Sequence, residues 1–163
     1  MKPLRTSLLI ILVSLCLVAC GFRLAGTAEL PAQLSSIYLQ TSNFSNTQRK
    51  ALQRSLKKAG AKLVDEGQAG AARLSVSLNS EPDQQLATSA SSGDIVRRIS
   101  RSLDFNVKGE DGSFLIPPRT LKQQKDVSLD ENNLLASNRE RDSVALEIEQ
   151  ALYDQLIRQL SRI

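Results

Sequence analysis

Two hydrophobic periods run through this chain, and they cannot belong to one kind of element. In the stretch ARLSVSLNS, Leu74, Val76 and Leu78 alternate with Ser75, Ser77 and Asn79. That two-residue period belongs to a strand with one dry and one wet face. Near the end of the chain, Ala145, Ile148, Leu152, Leu156 and Leu160 recur at helical spacing, widened by Val144, Ala151 and Ile157. This stripe predicts a long helix over about 131–161. A half-wet strand and a one-sided helix each need something to cover their apolar side, so both are satisfied by helices laid on one face of a sheet.

The remaining segments fill in the order. In SSIYLQT, Ile37 and Leu39 share one side of a short strand and Tyr38 takes the other. In NTQRKALQRSLKKAG, Leu52, Leu56 and Ala59 have helical spacing, and Gly60 follows where a left-handed C-cap residue belongs. Lys57 and Lys58 suit the negative pole of that helix. The small residues of ATSASSGD, residues 87–94, predict a loop or hairpin tip. Beyond it RRISRSLDFNVKG sets Ile99, Leu103, Phe105 and Val107 on one face, interrupted by Arg101, and GEDGS makes the next turn. Pro117 and Pro118 lack backbone donors and fit a strand entrance, bulge or edge. In the strand that follows them, Leu121, Val127 and Leu129 share a parity with Gln123 and Lys125, so it is only partly buried. The expected fold class is α+β, with two helices packed against a four-stranded, mostly antiparallel sheet.

The amino terminus carries a different signal. Lys2 and Arg5 precede a charge-free, mainly apolar run at residues 8–19, 12 residues long. A membrane-crossing helix needs about 20, so the run has the proportions of a secretory signal core. It ends in LVAC, with Cys20 at the point of cleavage. That tetrapeptide resembles the lipobox of bacterial lipoproteins, in which the thiolate takes up a diacylglyceryl group and the freed amine is acylated. Three acyl chains exceed what stable membrane anchoring requires. Cys16 leaves with the signal and Cys20 is acylated, so no thiol remains for a disulfide or a redox centre. Gly21 and Phe22 follow the cysteine rather than Asp, the pattern forwarded to the outer membrane. The expected division is a signal peptide at 1–19, an acylated tether at 20–31 and one domain at 32–163.

Loss of 19 residues from 163 leaves a chain of 144, the size of a single domain. The 21 basic and 17 acidic residues give +4, but Lys2 and Arg5 go with the signal and only +2 remains. So small an excess is no argument for nucleic acid. Histidine and tryptophan are absent, which removes the usual acid–base switch and most zinc and nucleophile arrangements. The stretch GQAGAA has neither the spacing nor the lysine of a phosphate loop. The carboxylates Asp65, Glu66, Asp104, Glu140, Asp142, Glu147 and Glu149 are explained by solvated faces. A non-enzymatic protein without cofactor or metal is expected. The one suggestive cluster is basic: Arg97, Arg98 and Arg101 begin a strand, and Arg119, Lys122 and Lys125 lie along the next. In a hairpin, Arg97 and Arg98 come opposite the region of Lys125. Such groups suit phosphate or carboxylate, and equally an edge protected by charge.

The start CGFRLAGTAELP, the segment SIYL and the end NNLLASNRERDSVALEIEQALYDQLIRQL resemble the lipopolysaccharide-assembly lipoprotein family LptE over nearly the whole mature chain. The resemblance implies two helices against a four-stranded sheet and a place on the periplasmic side of the outer membrane. It implies a one-to-one complex in which the protein plugs, and helps assemble, the outer-membrane β-barrel LptD. It also implies binding of lipopolysaccharide through basic residues near the tip of the sheet and the start of the last helix. On this sequence that region offers Arg97, Arg98, Arg101, Lys125 and Arg139. Ser137 stands where the family pattern suggests a lysine, with Arg139 and Arg141 close by. The competing reading is an outer-membrane lipoprotein with a structural or cell-wall-associated role. Replacing Cys20 by Ala should leave the protein unacylated and detached or unprocessed. Intact-mass analysis of the mature wild-type chain checks the premise, which an unmodified amino-terminal cysteine would overturn.

Overall fold

The computed structural model describes residues 29–89, 94–130 and 132–163, so the signal segment and Cys20 lie outside the described residues. A single 3-10 turn at Ala32–Leu34 leads into β1 (Ser36–Ser42), helix α1 (Asn46–Lys58) and β2 (Lys62–Val64). Then come β3 (Ala72–Ser80), β4 (Gln84–Thr88), β5 (Asp94–Lys108), β6 (Phe114–Asp130) and helix α2 (Leu134–Leu160). β1 runs parallel to both β2 and β3, whereas β5 is antiparallel to β3, β4 and β6.

The fold class is α+β, as the two periods require, but the sheet has six strands among the described residues rather than four. Both additions escape periodicity for physical reasons. β2 is three residues long, pairs in parallel with Ser36, Ile37 and Tyr38, and packs only Leu63 against the core. β4 is exposed at all five positions, so it carries no alternation. It continues the edge that β3 begins: β3 pairs with residues 101–108 of β5, and β4 pairs with residues 95–98 on the same side. Glu81, Pro82 and Asp83 separate the two, and Pro82 has no N–H to donate to a ladder.

Local chemistry starts and stops the elements. Ser45 caps α1 in a reciprocal box, its hydroxyl accepting from Gln48 N at 3.2 Å while its own N–H donates to Gln48 Oε1 at 2.9 Å. Gly60 leaves the helix at φ +95°, a conformation that a side chain disfavours. Asn133 caps α2 by accepting from Ala136 N at 3.2 Å. The β5–β6 turn closes through Gly109 N to Ser113 O at 2.9 Å. Pro117 and Pro118 lie in β6, which pairs only with β5, near a register shift opposite Phe105 and Val107.

One apolar layer joins sheet and helices. Ile37, Leu74, Ile99, Leu103, Phe105 and Val107 from the strands meet Leu52 and Leu56 of α1 and Leu152, Leu156 and Leu160 of α2. The stripe on α2 is rotated slightly from expectation: Ala151 is exposed, and Tyr153 and Glu149 are buried in its place. Leu152 is fully enclosed whereas Leu146, on the same helix, is 61% exposed. Leu152→Ala should therefore cost about 2–5 kcal/mol, and Leu146→Ala no more than about 0.5 kcal/mol. Urea unfolding of the two variants measures the difference.

Candidate functional site

Alternation along β5 and β6 decides which cations meet. Arg97, Arg101 and Lys125 share the face covered by α2, and Arg98 lies on the opposite, uncovered face. In register, Arg98 faces Asp126 and Lys125 faces Ile99. Arg98 donates to Asp126 through Nε at 2.7 Å and Nη2 at 2.9 Å. This fork holds the Asp126 carboxyl below the usual carboxylate range and raises Arg98. Lys125 is tied to Glu147 of α2. Arg101 lies four residues from Arg97, roughly 13 Å along a strand, and reaches Ser100 O at 2.9 Å. Arg139 is exposed on α2. The five cations expected in one rim are thus distributed over both faces of the sheet and helix α2, each in its own setting.

Arg97 has company of another kind. A cleft of about 360 Å³ opens where the start of α2 leaves the sheet. Its apolar wall is Ile95, Leu129 and Leu134, and its cations are Arg97 and Arg141. Asp83 and Asp130 complete the charged lining. Arg141 Nε meets Asp83 Oδ2 at 2.5 Å, and the Asp83 side chain is only 7% exposed. Asp130 is engaged in the turn before α2: Oδ1 accepts from Asn132 N at 2.8 Å, and its carbonyl accepts from Ser137 Oγ at 2.7 Å. No ion pair to Arg97 or Arg139 is present among the described residues. Leu134 and Leu135 remain 69% and 76% exposed beside the cleft. Apolar wall, paired guanidiniums and exposed leucines make an amphipathic site suited to an anionic head with an apolar tail.

Arg141 and Asp83 were not singled out as site residues by sequence reasoning. Arg141 is marked in the sequence only as a neighbour of Ser137, where the family pattern suggests a lysine, and Asp83 sits in a short interruption between strands. Only the shared β5 edge carries Asp83 to α2.

The uncovered face of the sheet is wholly different. A shallow trough of about 650 Å³ includes Gln40, Ser75, Ser77, Asp104, Asn106 and Thr120. Its side chains satisfy one another: Asn79 Nδ2 donates to Asp104 Oδ2 at 2.8 Å, Thr120 Oγ1 to Asp104 Oδ1 at 2.5 Å, and Asn43 Nδ2 to Ser77 Oγ at 3.3 Å. Arg73 packs 5.6 Å from the Tyr38 ring centre. This is a polar surface on which Asp104 accepts from two neighbours, Asn79 and Thr120.

Between the helices lies the one surprise among the carboxylates. Glu149, expected on a solvated helix face, is 6% exposed. Its Oε1 accepts from Gln48 Nε2 at 2.6 Å. Burial raises the Glu149 pKa, and the Gln48 bond and the charge of Arg101 partly oppose that rise. Tyr153 is pushed up by burial and by the nearby Glu149 charge, and its ring stacks 6.4 Å from Phe44. The spacing of Glu149 to Tyr153, one helical turn, was the available signal.

No protein-family model matches the chain, and no curated protein matches it. Solved structures do. A minor lipoprotein from Acinetobacter baumannii is similar at TM-score 0.63 and 17% identity, over 79% of this chain and 94% of that one. Rare lipoprotein B from Shewanella oneidensis gives 0.65 and 16%, over 78% and 94%. Lipoprotein B from Nitrosomonas europaea gives 0.68 and 18%, over 86% and 90%. The chain shares their fold. At identities this low the likeness is one of fold: two helices on a mixed sheet.

The buried carboxyl makes a pH prediction. Because Glu149 is raised above its unfolded value of about 4.3, the folded state holds the extra proton between that value and the raised one. Stability is fully present below the unfolded value and falls as pH rises through the folded one, by at most about 1.4 kcal/mol per pH unit. Asp126 and Asp111 are lowered and act at more acid pH, in the opposite sense. Glu149→Gln should flatten the wild-type decline above pH 4.5, as read by urea unfolding across a pH series.

Proposed function

We propose that this chain is an acyl-anchored lipoprotein on the periplasmic side of the outer membrane that binds lipopolysaccharide at the cleft beside α2. In the same reading it is the plug and assembly partner, one to one, of an LptD-type β-barrel. The observation that carries the binding is the union of Arg97 and Arg141 with Ile95, Leu129 and Leu134 around one cavity. Lipopolysaccharide presents the matching chemistry, phosphates next to acyl chains. A cleft of this size takes part of such a molecule, with the exposed Leu134 and Leu135 extending the apolar contact. Arg139 stands near enough along α2 to add long-range attraction; Arg98, Arg101 and Lys125 are spent on carboxylates or a carbonyl and serve mainly to fix the surrounding frame.

The lipobox at Cys20, the fold shared with bacterial lipoproteins and the polar sheet face support the membrane and barrel parts. The lumen of a large outer-membrane barrel is polar, and the hydrogen-bonded face around Asp104 suits such surroundings. No helix among the described residues is long and apolar enough to cross a membrane.

Purification from outer membranes in mild detergent should recover the chain with a large β-barrel in equal amount. Recovery of the chain alone would count against the partnership. For the ligand, Arg97→Gln combined with Arg141→Gln should weaken binding of the full acylated chain to lipopolysaccharide by tenfold or more at low salt. The wild-type advantage should shrink as salt rises, because the contacts are charged and partly exposed. Equal affinity of the double variant and wild type would exclude this cleft.

A further inference from the structure

We infer that Asp83 is an internal competitor for the ligand's anionic group, holding Arg141 in a pre-formed ion pair that the ligand must loosen. The inference rests on the reading of the cleft as the site for a phosphorylated amphiphile and adds its regulation.

The geometry is specific. Asp83 leaves the β3–β4 interruption and reaches across to Arg141 on α2, with a nearly buried carboxylate 2.5 Å from the guanidinium. Asp130, the other acid in the cleft, is occupied by the Asn132 backbone. Asp83 has Arg141 as its one ion-pair or hydrogen-bond partner among the described residues. With Arg97 and Arg141 against Asp83 and Asp130, the cleft has no net charge. An incoming phosphate therefore meets a guanidinium whose Nε edge is already taken and a carboxylate that repels it. Arg141 keeps its remaining donors, and its side chain is 47% exposed, so the anion gains a foothold before the pair loosens. Such a site binds more weakly than its two arginines allow. A carrier that must pass its ligand onward benefits from that restraint, whereas a storage site does not.

The pair also ties down an extension of the helix. No residue described between Leu134 and Asp142 is buried, and Val144 is the first that is. Loosening Asp83 from Arg141 releases a cross-link between this part of α2 and the strand edge.

The test measures binding of the full acylated chain in mild detergent to lipopolysaccharide and to the same lipopolysaccharide after removal of its phosphates. Asp83→Asn keeps the side-chain shape, and Asp83→Ser provides a second, smaller uncharged variant. The expected result for both is three- to tenfold tighter binding of the phosphorylated probe and no gain for the dephosphorylated one. Arg141→Gln should remove the gain when combined with either. Unchanged or weaker binding by both Asp83 variants, with Arg141→Gln still weakening wild type, would overturn the competition while leaving the cleft in place, and weaker binding would assign Asp83 to positioning Arg141. Insensitivity to Arg97→Gln and Arg141→Gln alike would overturn the cleft reading itself, and the competition with it.

Discussion

β5 is hydrogen-bonded along both edges, while only one of its faces is covered by helix. Along one side it pairs with β6 from Asp94 to Lys108, and along the other it receives first β4 and then β3. Its inward side chains, Ile95, Ile99, Leu103, Phe105 and Val107, form the floor on which α2 lies. Because side chains alternate with a period of two, a slip of one residue would bring Arg98 and Asp104 inward and expose this floor. The register that buries the core therefore also fixes the position of every charged group on the strand.

That constraint separates two surfaces of opposite character. On the open face, Asn43, Ser77, Asn79, Asp104 and Thr120 form one hydrogen-bonded polar layer, and Ser75 bonds Gln40 beside it. On the covered face, apolar residues give way to polar links toward the edge of α2, as in Gln123 to Gln155 at 3.0 Å and Arg119 to Gln159 at 3.3 Å. The cleft forms where this layer runs out. The sheet continues to Asp130 while α2 has yet to begin its buried stripe, so arginines and apolar side chains share a partly open space.

The joint between the helices is built from economical chemistry. Gln48 accepts the Ser45 N–H, donates its own N–H to Ser45, and still extends Nε2 to Glu149. One side chain thereby caps α1 and links it to α2. The buried Glu149 would be costly unpaired; Gln48 and the charge of Arg101 offset part of that cost.

Most of the frame was legible in the order of residues. Strict alternation at 74–79 and helical recurrence at 145–160 determine element type because each period matches only one backbone geometry. Gly60, the GEDGS turn and the edge prolines acted through local backbone preferences that need no distant partner. β2 and β4 were illegible, since parallel pairing holds the first and the second buries nothing. The basic residues were visible as a cluster in sequence, but their company was not: the pleat sent Arg98 to Asp126, and the packing of α2 gave Lys125 to Glu147. Arg141 became a neighbour of Arg97 only when α2 crossed the strand edge bearing Asp83. Sequence alone determines the kinds of elements and the charges available, because those depend on neighbours along the chain. Tertiary structure decides which charges remain to bind, because ion pairs form between side chains brought together from distant positions.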